Sequence, residues 1–167
     1  LNADIGAAAA IATTKLGAGA TVQVVNVQTG AVATTTTTMP MGDAIPQNDE
    51  GGELMTLAIT PTNSSNKLRI DVTINTSFTA NSNAGFALFQ DSTANALASG
   101  YFEYRVNGDN DIFTLTHYMA AGTTSATTFK VRSGAHGSGT TTFNGHGGAR
   151  KLGGTLASSI TITEILV

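Results

Sequence analysis

The chain of 167 residues contains no cysteine, which excludes disulfide frameworks, thiol catalysis, thiolate zinc sites and iron–sulfur clusters. Charged residues make up only 11% of the sequence, and the formal net charge is -3. So weak a field does not favour binding to nucleic acid or to an anionic membrane surface. No apolar run approaches the roughly 20 residues of a membrane helix. We therefore expect neither nucleic-acid binding nor membrane insertion.

Tryptophan is also absent and aromatic residues account for 6% of the chain, whereas glycine occurs 19 times. The sequence is rich in threonine, which suits the exposed face of a pleated sheet, while glycine and asparagine suit tight turns. This composition is typical of a many-turned all-β protein. A surface with few charges and few large side chains costs little to desolvate, which favours burial against copies of the same chain.

The clearest period-two pattern lies in residues 67–75 and predicts a half-buried strand. Its core face carries four apolar side chains: Leu68, Ile70, Val72 and Ile74. Residues 53–60 predict a preceding strand, which could be covered on both faces. Between the two strands, residues 61–66 are turn formers, so the sequence predicts a β-hairpin here.

Other short runs bring the prediction to about eight to ten strands, at the intervals typical of sandwiches and barrels. In residues 107–111, an Asn-Gly pair predicts a tight hairpin turn. No helix-length crossover separates the strands, which argues against a parallel sheet. The predicted fold is an all-β, antiparallel β-sandwich of the jelly-roll type. The additional strands are predicted over residues 22–27, 31–38, 84–91, 101–106, 111–119, 127–133, 140–143 and 158–167.

Residues 1–16 can form a helix, because small apolar residues recur there at spacings of four, three and four. One thin apolar stripe does not hold a lone helix, so this segment is expected to dock on something else or to act as a linker. Gly17 and Gly19 mark a boundary. We predict a stalk or attachment segment over residues 1–20 and a sandwich domain over residues 21–167. Because the first residue is Leu1, we expect part of a longer chain.

Two stretches of the sequence suggest contacts with a partner subunit. The strand over residues 84–91 is apolar on both faces, so one face can pack on the opposite sheet and the other on a partner subunit. Near the end of the chain, Glu164 interrupts the alternation of the last strand. A lone buried carboxylate is costly, which predicts a β-bulge or a subunit contact at this position.

The candidate binding face lies on the strand over residues 101–106, where Tyr101, Glu103 and Arg105 point to the same side. A tyrosine ring can stack on a pyranose while charged neighbours hold its hydroxyl groups. Such a pattern more often marks a strand face that contacts only solvent or another subunit. Both interpretations stay open at the level of sequence.

The residues that could bind a metal ion are better explained by ordinary structural roles. The cluster Asp109–Asp111 could offer oxygen ligands to calcium, but it lacks the glutamate of an EF-hand loop and favours an ordinary turn. His136 and His146 lie in glycine loops without ligands at metal-binding spacing, although a site where three copies meet on an axis remains an alternative. His117 is predicted to be a hydrogen-bonded core histidine. We predict no metal and no cofactor.

The sequence also predicts no catalytic residue. The glycine-rich residues 145–154 have neither the spacing of a phosphate-binding loop nor a helix behind them. No G-x-S-x-G motif occurs. An acid pair for glycoside cleavage could be drawn from several carboxylates, but no pattern selects one. They are Asp43, Glu50, Glu53 and Glu103.

Several long phrases resemble a family of bacteriophage fibre proteins, the carboxy-terminal modules labelled tail fibre or head fibre. The resemblance covers nearly the whole chain. It rests on NADIGAAAAIATTKL, VQVVNVQTGAVATTTTT, GDAIPQNDEGGELMTLAITPTNSSNKLRIDV, ALFQDSTANALA, MAAGTTSATTFKVR, TTFNG and RKLGGTLASSITITEI.

The resemblance implies a non-enzymatic virion structural protein: a homotrimeric knob, similar in kind to C1q and tumour-necrosis-factor jelly rolls, behind a short stalk. Its implied partners are other virion proteins and a glycan or protein receptor on the host surface. It implies a place on the surface of the phage particle, with assembly in the bacterial cytoplasm. The trimer-interface candidates are then Phe86, Leu88, Phe89 and Ile165.

Fibre tips of this kind usually vary where they meet a receptor, and the stretches least like the family phrases are residues 76–83 and 100–111. The receptor-binding candidates are accordingly Tyr101, Glu103, Arg105, Asn81 and Asp109. Two alternatives remain. One is a capsid-decoration or head-fibre protein that binds the shell, and the other is a monomeric carbohydrate-binding or glycan-cleaving module.

Overall fold

A computed structural model describes residues 15–167, so the predicted helix over residues 1–16 lies almost entirely outside the described residues. Within this range the chain forms antiparallel β-structure, and the first strand begins at Thr21. No helix of the described range is long and apolar enough to cross a membrane. The strands are β1 (Thr21–Thr29), β2 (Ala33–Thr35), β3 (Gly52–Ile59), β4 (Lys67–Phe78), β5 (Ser82–Gln90), β6 (Ala98–Tyr104), β7 (Asn110–Ala120), β8 (Thr127–Ala135), β9 (Thr141–Phe143), β10 (Gly145–His146), β11 (Ala149–Arg150) and β12 (Ser158–Ile165).

The long strands form two facing antiparallel sheets. Sheet 1 has the order β1-β12-β4-β7, and the short strands β9 and β2 extend it beside the end of β4. Sheet 2 has the order β3-β8-β5-β6. Successive long strands therefore alternate between the sheets for most of the chain, which is the Greek-key arrangement of a jelly roll. The predicted all-β jelly-roll sandwich is confirmed.

The core lies between the sheets, where the predicted face of β4 is buried. Leu68, Ile70 and Ile74 have no exposed surface, and Val72 is 2% exposed. Sheet 2 faces them with Phe86, Leu88, Phe129 and Val131 in the same apolar cluster. Burying side chains of this size stabilises the fold by about 2 kcal/mol each before entropic costs.

Both predicted hairpins are wrong, although their strands are present. β3 pairs with β8 while β4 pairs with β12 and β7, so residues 61–66 carry the chain from sheet 2 to sheet 1. In the same way β6 pairs with β5 and β7 with β4, so residues 105–109 also cross between sheets. Turn-forming residues satisfy the backbone equally well at a hairpin and at a corner.

The strand β3, which the sequence suggested could be covered on both faces, leaves Thr56 and Ala58 exposed on its outer face.

The outer face of β5 is covered by the chain itself. Ala87 and Phe89 are buried against Met39 and Met41 of the preceding loop and against Ala96. The opposite face of β5 contributes to the core. The strand is thus apolar on both faces, as predicted, without needing a partner subunit to cover it.

This arrangement corrects the trimer-interface candidates on β5. Phe86, Leu88 and Phe89 are all at most 3% exposed within the single chain, so their side chains cannot meet a neighbouring subunit in this conformation. Ile165 differs, because it is half-buried and lies on β12 beside the outward-facing Lys67 of β4.

The corner between β3 and β4 is held by the carboxylate of Glu164, whose side chain is fully buried. It accepts hydrogen bonds from Asn66 Nδ2 at 2.6 Å, Gln23 Nε2 at 2.6 Å and the backbone N–H of Thr62 at 2.9 Å. The Thr62 hydroxyl donates a further bond at 2.8 Å. The ladder between β1 and β12 is shifted between Thr21 and Gln23, opposite Glu164. The predicted bulge is therefore confirmed.

Hydrogen bonds decide the protonation of this carboxylate. Burial by itself would raise the pKa of Glu164, but the donors on Asn66, Gln23 and Thr62 outweigh it and lower the pKa from 4.5 to about 2. A carboxyl group with a lowered pKa in the folded state stabilises the fold above its unfolded pKa. That contribution is lost as pH falls from about 4.5 towards about 2.

We predict that Glu164→Gln lowers the free energy of unfolding at neutral pH by about 2–3 kcal/mol, because an amide nitrogen would face donors that need an acceptor. Urea unfolding across the acid range measures this effect. The difference between wild type and variant should shrink as the pH falls through the window given above. Glu103→Gln, which changes an exposed carboxylate, is the control and should follow the wild type. An equal acid dependence in Glu164→Gln would contradict the assignment.

Candidate functional site

The candidate site is built around two glycines that are paired on neighbouring strands of sheet 2. Gly85 on β5 pairs with Gly134 on β8. A Cβ atom on Gly134 would lie 2.5 Å from the carbonyl oxygen of Thr37, and one on Gly85 would lie 3.0 Å from Met41 Cε. The loop of residues 36–51 can therefore rest on the sheet only because no side chains stand at these two positions.

Residues 36–51, which we call the covering loop, are held by hydrogen bonds although they form no strand. Met39 N–H donates to the carbonyl of Ala135 at 3.0 Å, and Asn48 N–H donates to that of Ala94 at 2.8 Å. At the far end, Arg132 donates to the carbonyl oxygens of Glu50 and Gly51 at 2.9 and 2.7 Å. These bonds fix the loop along its length, so it is a wall of defined shape.

A cleft of about 210 Å³ opens between the covering loop and the start of β6. Its loop side is made by residues between Met39 and Pro46, and its other side by Gly85, Ser99, Gly100 and Tyr101. A neighbouring depression of about 380 Å³ shares Ala44, Pro46 and Ser99 with the cleft. The two together form a groove along the beginning of β6.

Tyr101 stands at this cleft with 65% of its surface exposed. The register of β6 is fixed by its inward side chains: the Phe102 ring stacks on Phe113 with centroids 3.7 Å apart, and the Tyr104 hydroxyl donates to Thr76 Oγ1. Burial raises the pKa of Tyr104 despite that hydrogen bond, so its hydroxyl stays protonated. Tyr101 is consequently directed outward on a rigid strand.

The structure brings the receptor-binding candidates together along β6 and its end. Tyr101, Glu103 and Arg105 are all exposed, in alternation with the buried Phe102 and Tyr104. This outward alternation agrees with the sequence pattern.

The other two receptor-binding candidates act on the backbone at the end of β6. Asn81 Nδ2 donates to the carbonyl of Arg105 at 3.0 Å, and the Arg105 N–H donates to Asp109 Oδ2 at 3.0 Å. Asp109 thus has the role of an ordinary turn carboxylate. Asn81 and Asp109 fix the shape of the site, while Tyr101, Glu103 and Arg105 present side chains.

The histidines do not converge with these residues. His136 and His146 are exposed, and His117 is half-buried on β7. The side chain of His117 makes no hydrogen bond within residues 15–167, so the hydrogen-bonded core histidine predicted from the sequence is not observed. In the same range, no three His, Asp or Glu side chains come close enough to hold a metal ion.

Comparison with known proteins does not identify a family. No protein-family model and no curated protein sequence matches the chain. Similar solved structures include a chain titled "CBM4 structure and function", with 10% identity, 55% of this chain and 56% of that chain covered, and a TM-score of 0.38. The EclA C-terminal domain, described as a sugar-binding protein, has 15% identity, coverage of 68% and 74%, and a TM-score of 0.40.

A viral protein is also among the similar structures. It is the enzymatically active domain of bacteriophage CBA120 tailspike protein 4, with 14% identity, 72% of this chain and 18% of that chain covered, and a TM-score of 0.29. This chain therefore spans about half of the first solved structure and under a fifth of the tailspike. TM-scores this low assign neither family nor function, since unrelated functions share sandwich folds.

We predict that Gly134→Ala destabilises the protein by about 1–3 kcal/mol, because the added methyl group overlaps the Thr37 carbonyl and displaces the covering loop. Equilibrium unfolding in urea measures the change. Gly42→Ala is the matched control, since a Cβ atom on Gly42 meets no atom within 4 Å. A Gly134→Ala protein as stable as the control would mean that the loop does not rest on the glycine pair.

Proposed function

We propose that the chain is a non-enzymatic structural module of a bacteriophage virion, a homotrimeric fibre domain that contacts the host surface through the outer face of β6. The family resemblance of its sequence phrases supports the virion role. The observation that carries the adhesive role is the exposed Tyr101 ring, held by a rigid strand at the mouth of a cleft. In this proposal the module lies on the particle surface and is assembled in the host cytoplasm.

The chemistry of the face suits adhesion. A tyrosine offers a large, rigid contact surface at a low cost in side-chain entropy, and its hydroxyl group can bond a polar ligand. Glu103 and Arg105 follow Tyr101 on the same face and are exposed, so they can set the orientation of a bound glycan or protein. Repeating such a weak contact in three subunits would raise the overall avidity on a cell surface.

The outer face of sheet 1 supports the proposed trimer. One row across this face runs from Val24 through Thr163 and Arg69 to Tyr118, and Val24 and Tyr118 are both more than half exposed. The next two rows hold threonine or serine at five of eight positions, together with Asn26, Gln28 and Asp71. Asp71 pairs with Arg69 at 2.9 Å, so most side chains in these rows are neutral or ion-paired, which lowers the cost of burying them against another subunit. This face also carries Ile165, the trimer-interface candidate that the chain does not bury.

A second candidate function is a monomeric carbohydrate-binding module. The observation that favours it is the burial of Ala87 and Phe89 beneath the chain's own covering loop, which removes one reason to invoke a partner. The same Tyr101 cleft would serve in either case. The two functions differ in oligomeric state and in whether other virion proteins bind the module.

We predict a concentration-independent trimer for the full chain in light scattering across a dilution series. Thr73→Lys, which places a charge in the middle of the outer face of sheet 1, should give monomers because it would bury an unpaired ammonium group. Thr56→Lys on the exposed outer face of β3 is the control and should remain trimeric. A wild-type monomer would contradict the trimeric fibre and favour the monomeric module.

We predict that Tyr101→Ala weakens adsorption of the labelled protein to intact bacterial cells by about tenfold or more, equivalent to about 1.4 kcal/mol. Strains that adsorb the wild-type protein provide the assay, and thermal unfolding verifies that the variant is folded. Glu103→Gln tests the neighbouring carboxylate in the same assay. Unchanged adsorption of Tyr101→Ala would remove the β6 face from the adhesive function.

A further inference from the structure

We propose that the groove beside Tyr101 binds a neutral saccharide chain, with one sugar ring in the cleft against the Tyr101 ring and the chain continuing into the adjoining depression. This inference rests on the proposed adhesive function and specifies its ligand. Besides Tyr101, which the sequence pattern selected, it concerns residues that sequence patterns did not select, above all the covering loop and Ser99.

The charge of the groove favours an uncharged ligand. None of the residues that line the cleft carries a charge, and the adjoining depression has only Asp43. A carboxylate or phosphate in this cleft would lose hydration without gaining a cationic partner, which costs several kcal/mol. Arg105 is not a lining residue of either part. Asp43 repels anions and can accept hydrogen bonds from hydroxyl groups.

The polar atoms of the groove match a ligand rich in hydroxyl groups. Neither the Ser99 nor the Tyr101 hydroxyl is hydrogen-bonded to another group in the described part of the chain. β6 is an edge strand that pairs with β5 alone, so part of its backbone N–H and C=O groups face outward without a ladder partner. Hydroxyl groups can both donate and accept, so they can satisfy this mixed set.

The apolar parts of the groove match the C–H faces of sugar rings. Pro40, Met41 and Pro46 form the loop side of the cleft, and the Tyr101 ring stands on the strand side. Gly85 also lines the cleft, and its missing side chain leaves room for the side chains of Met39 and Met41. A flat ring between an aromatic face and a small apolar wall buries its C–H groups while its hydroxyl groups remain at the rim.

The shape of the groove favours a chain over a single sugar. The cleft is smaller than the pockets of 300–1,000 Å³ that enclose drug-sized ligands, and it opens into a depression that shares three lining residues with it. The covering loop is already tied to residues 91–96 and to β8 without a ligand. Little ordering is therefore needed on binding, which lowers its entropic cost.

The test is NMR titration of the isotope-labelled full chain with large excesses of methyl glycosides of neutral hexoses and N-acetylhexosamines, and with neutral oligosaccharides built from them. Support would be saturable shifts in the amide resonances of Gly85, Ser99, Gly100 and Tyr101, with oligosaccharides binding at least severalfold more tightly than single sugars. Tyr101→Ala should weaken binding about tenfold. Tyr118→Ala, an exposed tyrosine on β7 of sheet 1, should leave it unchanged.

Three results would overturn the inference. One is an absence of shifts in these resonances with every neutral sugar. Another is tighter binding of glucuronic or sialic acid that is lost in Arg105→Gln, which would identify an anionic ligand. The third is binding of extended peptides alone, which would identify β6 as an edge for strand addition. If the sugars fail while Tyr101→Ala still reduces adsorption to cells, the adhesive function stands and only the ligand class is wrong. If both fail, the proposed function fails with it.

Discussion

The candidate site depends on one close contact, the approach of the covering loop to the glycine pair Gly85 and Gly134. Because these two residues leave the outer surface of sheet 2 without side chains at their positions, Met39 and the Thr37 carbonyl can reach the strand backbones there. The loop then buries Phe89 and Ala87 and forms the side of the cleft opposite Tyr101. The same contact therefore completes the packing of β5 and creates the groove.

A second constraint fixes the sandwich on which this site stands. Glu164 collects donors from β1 and from the corner between β3 and β4, so one buried carboxylate ties three distant parts of the chain. Among residues 15–167 it has no cationic partner, and neutral donors supply its stabilisation. An acceptor with several charge-assisted hydrogen bonds is selective about geometry. It therefore favours the crossing of residues 61–66 between the sheets over a hairpin within one sheet.

The sequence predicted those features that depend on local alternation. The burial of Leu68, Ile70 and Ile74 and the outward direction of Tyr101, Glu103 and Arg105 follow from a period of two along each strand. Strand pairing did not follow, because residues 61–66 and 107–111 have the same turn chemistry at a corner as in a hairpin. The groove was also beyond sequence reasoning, since Gly85 and Gly134 become neighbours only when β5 pairs with β8. The donors to Glu164 likewise come from positions about 100 and 140 residues away.

The covering loop is a fixed wall of a preformed groove, although it has no regular secondary structure. Native-state hydrogen exchange of the ligand-free protein measures how firmly the loop is held, because exchange reports how often a hydrogen bond opens. We expect the amides of Met39, Asn48 and Gly51, each bonded to a backbone carbonyl, to exchange almost as slowly as those in the middle of β5. Exchange of these three amides at the rate of an unstructured peptide, with β5 still protected, would contradict this expectation.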